Sequence, residues 1–434
     1  MTLEEIKDKI LEDRKLITVR PLIKRDFSLK LKDSFATVII GARRTGKTSL
    51  LRLFAQNLMK NGVSADKICY LSFFDSSFDA SQCRVEQITS AYYSLSPSSL
   101  KGKAYFLLDE VQKLDKWGEG VSRLMDAHDC HVVVTGSSSR YLSTDIAAEL
   151  RGRCLPVRFF PLSFKEFLRF NGQELERTDA FSFEKQIQIA LLFDKFTQRG
   201  SYPALYDVDD QEERLAILNT YFSLTFSMDI VERFEVNKAS SLQALLRRLV
   251  QISGTPISIR KLKTYMDSIG YKLSTELISS YLMMIKDSMF MTELKILGNE
   301  NVQNTNPIKL YCIDHVMPSL FTYFTKNIGL CYEHIVYSAL QRRFSNIYYY
   351  RTRSGYEIDF VVTDRIEKVL MLIQVTDDYS ASKDRELRSF EEAVPELDPE
   401  SCFLLTRDTM EQVCVSDKIV KVMPIWRFLL LDEH

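Results

Sequence analysis

At 434 residues the chain is longer than one hydrophobic core usually organises, so two or three domains are expected. Hydrophobic residues make up 45% and charged residues 26%, an ordinary globular balance that excludes a disordered chain. The formal net charge of −1 argues against a surface coated in phosphate-binding lysines, while leaving room for a local basic patch.

The opening "MTLEEIKDKILEDRK" reads as an amphipathic, charge-rich helix without a signal peptide's apolar core. No uninterrupted run of about eighteen apolar residues follows anywhere, so no membrane span is expected. Cysteines stand at 69, 83, 130, 154, 312, 331, 402 and 414, without CxxC spacing or a neighbouring histidine pair. Neither a zinc site nor a disulfide framework is suggested, and a reducing cytoplasm is the expected location.

Next comes "TVIIGARRTGKTSLL", in which Gly41 to Thr48 fits GxxxxGK[ST]. The context agrees: Ala36 to Ile40 reads as a short buried strand, and Thr48 to Met59 as an apolar-periodic helix. Gly41 and Gly46 permit backbone angles that a Cβ would obstruct, so the N–H groups of the loop through Ala42, Arg43, Arg44 and Thr45 can face phosphate oxygens near a helix N-terminus. Lys47 then reaches the β and γ phosphates, the Thr48 hydroxyl ligates Mg²⁺, and Ser49 completes the phosphate-binding set. The expected ligands are ATP or ADP with Mg²⁺.

Strand-like runs recur downstream with helical segments between them: "KICYLSFFD", "KAYFLLDEVQ", "CHVVVTGSSS" and "CLPVRFFPLS". That alternation predicts an α/β fold with a mostly parallel, doubly wound sheet. In "YFLLDE" an apolar strand ends in Asp109 and Glu110, at the end of the sheet where ligands of open α/β folds bind. Asp109 is suited to holding Mg²⁺, and Glu110 to orienting or deprotonating an attacking water. A whole strand fits between Lys47 and Asp109, and together with the glutamate this favours ATP turnover over GTPase-like or kinase-like chemistry.

The strand "HVVVTG" ends in Thr135, with Ser137 and Ser138 just beyond. Hydroxyls there could sense the γ-phosphate or the hydrolytic water, or could serve a Ser-Gly turn and helix cap. In "LRGR", Arg151 and Arg153 precede the last strand. One of them could stabilise charge on the γ-phosphate, in its own chain or toward a neighbouring subunit in an oligomer; an exposed ion pair is the plainer reading.

The series "GARRTGKTSLL", "YFLLDEVQ", "VVVTGSSS", "LRGR", "PLSFKEFL" and "RGSYPAL" resembles a large prokaryotic family of AAA-type ATPases whose C-terminal domain is long labelled of unknown function. The resemblance covers nearly the whole chain. It implies an AAA-like P-loop NTPase core over residues 35–163 after a lead-in of 1–34, a helical lid over 164–240, a winged helix over 241–300 and a restriction-endonuclease-like α/β domain over 301–434.

The residues support each segment in turn. "FEKQIQIALLFDKFTQRG" and its neighbours show apolar residues at three and four spacing, as a helical lid requires. Helix, helix, helix, strand from residue 241 matches a winged helix whose recognition helix starts near Ser274, with Glu276, Ser279 and Ser280 accessible. Such a face is poor in phosphate contacts, so the partner could be nucleic acid or another protein. In the last segment Glu333 and Asp359 occupy the two carboxylate positions of a nuclease-type metal site. The third motif reads Gln374-Val375-Thr376, an amide oxygen and a hydroxyl where a lysine is wanted, with Lys368 as a candidate migrated lysine. Three functions are open: an ATP-hydrolysing switch, an ATP-regulated nuclease, and a scaffold with structural nucleotide.

Overall fold

A computed structural model describes residues 2–19, 21–74, 79–136, 149–175, 182–236, 238–322 and 328–431. The chain divides into two compact units, Met1–Pro161 with Asp287–Met289, and Leu162–Lys286 with Phe290–His434.

The first unit is built on five strands, β1 (Ala36–Ile40), β2 (Ile68–Ser72), β3 (Ala104–Asp109), β4 (Cys130–Gly136) and β5 (Cys154–Arg158). Their order is β2-β3-β4-β1-β5, and every neighbouring pair is parallel. The sequence "ATVII" of β1 is buried at every position, as expected of a central strand covered on both faces. Helix α1 (Leu3–Leu16) opens with a capping box between Thr2 and Glu5 and buries Ile6, Lys9, Ile10 and Asp13. Helix α2 (Lys47–Lys60) buries Leu50, Leu51 and Ala55 in a core that includes Ile39, Tyr70, Leu107, Val133 and Phe159. Helices α3 (Val85–Leu95) and α4 (Trp117–Ala127) complete the alternation of strand and helix. The sequence expectation of an α/β fold on a parallel sheet is met.

The second unit carries a mixed sheet of β6 (Pro256–Ile257), β7 (Met291–Ile296), β8 (Ile308–Cys312), β9 (Asn346–Arg351), β10 (Glu357–Thr363), β11 (Val369–Val375), β12 (Ser401–Thr406), β13 (Glu411–Val415) and β14 (Lys418–Pro424). The order is β13-β14-β12-β11-β10-β9-β7-β8-β6. A short parallel pair, Lys295↔Tyr348 and Ile296↔Tyr349, joins β7 to β9 and makes the sheet continuous. On either side of the boundary expected between residues 300 and 301, β7 and β8 pair antiparallel.

The helices expected as a lid, Phe164–Phe170 and Phe183–Arg199, bury Phe164, Phe167, Ile189, Phe193 and Phe196 in the core of this unit, beside Tyr311, Tyr332 and Trp426. The motif "RGSYPAL" is pinned there too. The Asp314 carboxylate accepts from the Ser201 N–H at 2.7 Å, the Ser201 hydroxyl at 2.8 Å and the Tyr202 N–H at 2.9 Å. Gly200 at φ +91° lets the backbone approach, since a Cβ would lie 2.8 Å from that carboxylate. Residues 239–312 run helix Ala239–Gln251, β6, helix Ile259–Ser268, helix Thr275–Asp287, β7, a short helix Glu300–Thr305, β8.

Candidate active site

The loop between β1 and α2 owes its shape to two glycines and an arginine. Gly46 takes φ 97° and ψ 25° at the head of α2, and Arg44 also has a positive φ of 65°. Gly41 is required for closeness instead: a Cβ there would lie 2.4 Å from the Phe159 carbonyl oxygen. Lys47 is only 6% exposed, and its Nζ donates to the carbonyls of Gly41 at 2.9 Å and Ala42 at 3.0 Å. The Thr45 hydroxyl donates to the Ala42 carbonyl at 3.0 Å, closing the loop on itself. Ala42 and Thr45 are buried, Arg43 is partly covered, and Arg44 and Ser49 are exposed.

Beside this loop, register brings three polar side chains into one row. Ser72 pairs with Asp109, and Leu108 with Val134, so Ser72, Asp109 and Thr135 stand abreast at the C-terminal ends of β2, β3 and β4. Asp109 is wholly buried. Its Oδ2 accepts from the Thr48 hydroxyl at 2.7 Å and the Ser72 hydroxyl at 3.1 Å, and its Oδ1 from the Thr135 hydroxyl at 2.5 Å. Burial raises its pKa above the ordinary aspartate value, the Thr135 hydrogen bond opposes the rise, and the Glu110 charge adds to it. Glu110 follows in a left-handed conformation, φ 58°. Its N–H donates to the Thr135 hydroxyl oxygen at 3.0 Å, and its Oε2 accepts from the Gln112 amide at 2.5 Å. The fold thus gathers the phosphate loop, Thr48, Asp109, Glu110 and Thr135, while Ser137 and Ser138 fall outside the described residues.

Arg153 is not part of this assembly within its own chain. It precedes β5 at the N-terminal edge of the sheet, where the Ala36 N–H donates to its carbonyl at 3.0 Å. The loop begins past Ile40, which pairs with Arg158, roughly 16 Å away at about 3.3 Å per strand residue. Its side chain pairs with Asp126 at 2.5 Å and donates to the Ser34 carbonyl at 3.1 Å. Arg151, with φ 49°, stands in the turn at that same edge. The γ-phosphate role within one chain is therefore corrected for both arginines: parallel register puts them at the wrong end of β5.

In the second unit, Glu333 on helix Ile328–Arg343, Asp359 on β10 and Gln374 on β11 do come together. Gln374 is turned to other work: its Oε1 accepts from the Asp359 N–H at 3.0 Å and its Nε2 donates to Glu386 at 2.6 Å. Asp359 accepts from the Val375 N–H at 2.9 Å. The cation among these carboxylates is a lysine that sequence reasoning passed over. Lys309 on β8 is 2% exposed, with its Nζ 2.8 Å from Glu357 Oε1 and 3.7 Å from Glu333 Oε2. The Tyr311 hydroxyl donates to Glu333 at 3.2 Å. A lone lysine inside the apolar run "IKLYC" was the available signal. Lys368, the candidate migrated lysine, is instead exposed at the far end of the β10–β11 hairpin and pairs with Glu400 at 2.5 Å. Thr376 shares a hydrogen bond with Ser382 at 2.8 Å. Among the described residues no three histidine, cysteine, aspartate or glutamate side chains converge as a metal site.

Comparison with known proteins matches three stretches of the chain. Residues 33–168 match the family model described as an AAA domain, residues 191–325 a domain of unknown function (DUF8612), and residues 328–428 another (DUF4143). The uncharacterized protein MJ1544 of Methanocaldococcus jannaschii is 28% identical over 438 residues, spanning 98% of this chain and 95% of its own. An uncharacterized Haemophilus influenzae protein is 27% identical over 62% of this chain and 64% of its own length. Among solved structures, the Walker-type ATPase PABY2304 of Pyrococcus abyssi aligns with a TM-score of 0.41 and 14% identity, covering 70% of this chain and 99% of that one. The ORC1 protein of Aeropyrum pernix, solved in complex with DNA, gives 0.27 and 14% over 73% of this chain and 90% of its own. The family match thus falls mostly on the first unit, which is similar to an AAA domain.

Proposed function

We propose that the protein is an ATP-hydrolysing switch. The observation that carries this reading is the convergence of the Thr48, Ser72 and Thr135 hydroxyls on a wholly buried Asp109 beside the glycine loop. Residues 41–49 hold the phosphates of ATP or ADP, with Lys47 as the buried cation. Mg²⁺, held by Thr48 and Asp109, would neutralise charge on the β and γ phosphates. A carboxylate stripped of water and ringed by hydroxyl donors suits a hard cation, so the residues fit the ion. Glu110 orients the attacking water, and Thr135, bonded to the Asp109 carboxylate and the Glu110 N–H, fixes the two residues relative to each other.

Replacement of Glu110 by glutamine tests the reading. The variant should bind ATP as the parent does and turn over on the order of a hundredfold more slowly or worse, the scale of a lost general base. Turnover within a few-fold of the parent would move the catalytic role elsewhere.

A second expectation concerns stability. Because burial raises the Asp109 pKa, its contribution to stability is present below the ordinary aspartate value and lost as pH rises through the folded value. Once ionised, the buried group is therefore a cost. Asp109→Asn should melt about 2–4 °C higher without nucleotide, the shift that about 1 kcal/mol gives in a domain of this size, while losing Mg²⁺-dependent turnover. An unchanged or lower melting temperature would contradict this.

Arg153, paired with Asp126 away from its own chain's loop, serves instead the γ-phosphate of a neighbouring subunit. The order of elements over residues 239–312 supports a winged helix. Its third helix exposes Thr275, Glu276 and Ser279, with Ser274 exposed just ahead of it, while Lys286 is paired with Glu293 at 3.1 Å, a face better suited to protein docking than to DNA phosphates. In the C-terminal segment, Lys309 stands where a metal would have to sit. The reading is a nuclease-like scaffold that does not cut DNA or RNA.

A further inference from the structure

Arg25 precedes β1 in the lead-in, and it is 7% exposed. One terminal nitrogen of its guanidinium donates to the Thr45 carbonyl at 3.1 Å. The other donates to the carbonyls of Phe160 at 2.9 Å and Pro161 at 3.0 Å. Its Cζ lies 4.4 Å from the centre of the Phe159 ring, which Phe27 meets edge-on at 5.2 Å. Thr45 belongs to the phosphate loop, whereas Phe160 and Pro161 are the residues at which the chain leaves the first unit. The two segments also touch directly: the Phe159 N–H donates to the Ile40 carbonyl at 2.7 Å, and the Phe159 carbonyl closes on Gly41.

A buried guanidinium is stable only while its donors are satisfied, and its planar fork fixes the acceptors relative to one another. A shift of the Thr45 peptide must therefore be followed by the arginine, or a buried charge loses a partner. The Phe160 and Pro161 carbonyls, bonded to the other arm of the same rigid plane, are obliged to move with it.

We propose that Arg25 couples the phosphate loop to the exit of the first unit, so that the state of the loop is passed to Phe160 and Pro161. This rests on the nucleotide-binding reading above and adds the route by which that state leaves the unit. Arg25 is a positioning residue: it touches loop backbone and exit backbone, and the phosphates are held by others.

The test is hydrogen exchange on the full chain, with and without Mg²⁺ and a non-hydrolysable ATP analogue, followed in peptides covering 41–50 and 157–165. In the parent protein both peptides should slow, by about fivefold or more. In Arg25→Ala and Arg25→Lys the loop peptide should still slow, while the effect on the exit peptide falls below about twofold. The lysine variant keeps the charge but cannot bridge three carbonyls, so it serves if the alanine variant does not fold. Full slowing of the exit peptide in the variants, or none there in the parent, overturns the coupling. A parent loop peptide that ignores the nucleotide would instead sink the nucleotide-binding reading, and the coupling with it.

Discussion

Lys47→Ala is expected to abolish measurable ATP binding. Its Nζ is the cation built into the loop, held at the carbonyls of Gly41 and Ala42 inside a pocket that leaves it 6% exposed. Two charge-assisted contacts to phosphate are worth about 3 kcal/mol or more together, so affinity should fall by at least about a hundredfold. Lys47→Arg should fare little better, because a guanidinium is too broad for a buried point-charge position. Calorimetric titration with ATP and Mg²⁺ measures the loss, and a thermal melt of each variant shows that the fold is retained. Unchanged affinity in a folded Lys47→Ala protein would remove the central claim.

The second large effect is expected at Lys309, where removal of one cation should destabilise the second unit. Burial depresses the Lys309 pKa, but Glu333, Asp359 and Glu357 outweigh it and leave the group above its ordinary value. Its contribution is therefore full below about 10.5 and lost only as pH rises through the still higher folded value. Lys309→Met leaves buried carboxylates without their counter-charge, a defect that costs about 3–5 kcal/mol in comparable sites. The pH dependence identifies the cause. Burial already raises Glu333, against the opposing charge of Lys309, and burial with the Glu333 charge raises Asp359. Protonating these acids relieves the variant, so its deficit in denaturant midpoint should be larger at pH 8 than at pH 5. A midpoint at pH 8 equal to the parent's would show that the lysine is dispensable to the cluster.

The two sites differed in how much of them local sequence could show. The strand–loop–helix frame from Ala36 to Lys60 and the strand ending at Asp109 were legible, because glycine spacing, apolar runs and strand ends are properties of a few consecutive residues. Arg25 was not, since its partners at Phe160 and Pro161 lie far along the chain and an isolated arginine in a polar lead-in has no pattern. Lys309 escaped for a related reason. The nuclease-like motif was sought on the helix of Glu333 and the strands after it, whereas the cation comes from β8, which precedes that helix. Arg153 was read from its nearness in sequence to the last strand; only the parallel pairing of β1 with β5 tells which end of that strand faces the loop.

The short parallel pair that ties β7 to β9 limits how this chain can be divided in evolution or in the laboratory. The segments matching the two domains of unknown function end and begin at residues 325 and 328, so a cut between them falls after β8 and before β9. It would nonetheless part Lys295 and Ile296 from Tyr348 and Tyr349, leaving each fragment with unpaired N–H and C=O groups along a raw border. Such borders recruit other strands, and fragments made this way would tend to clump rather than fold. Natural recombination meets the same obstacle, which is a physical reason for the two segments to be inherited as one block.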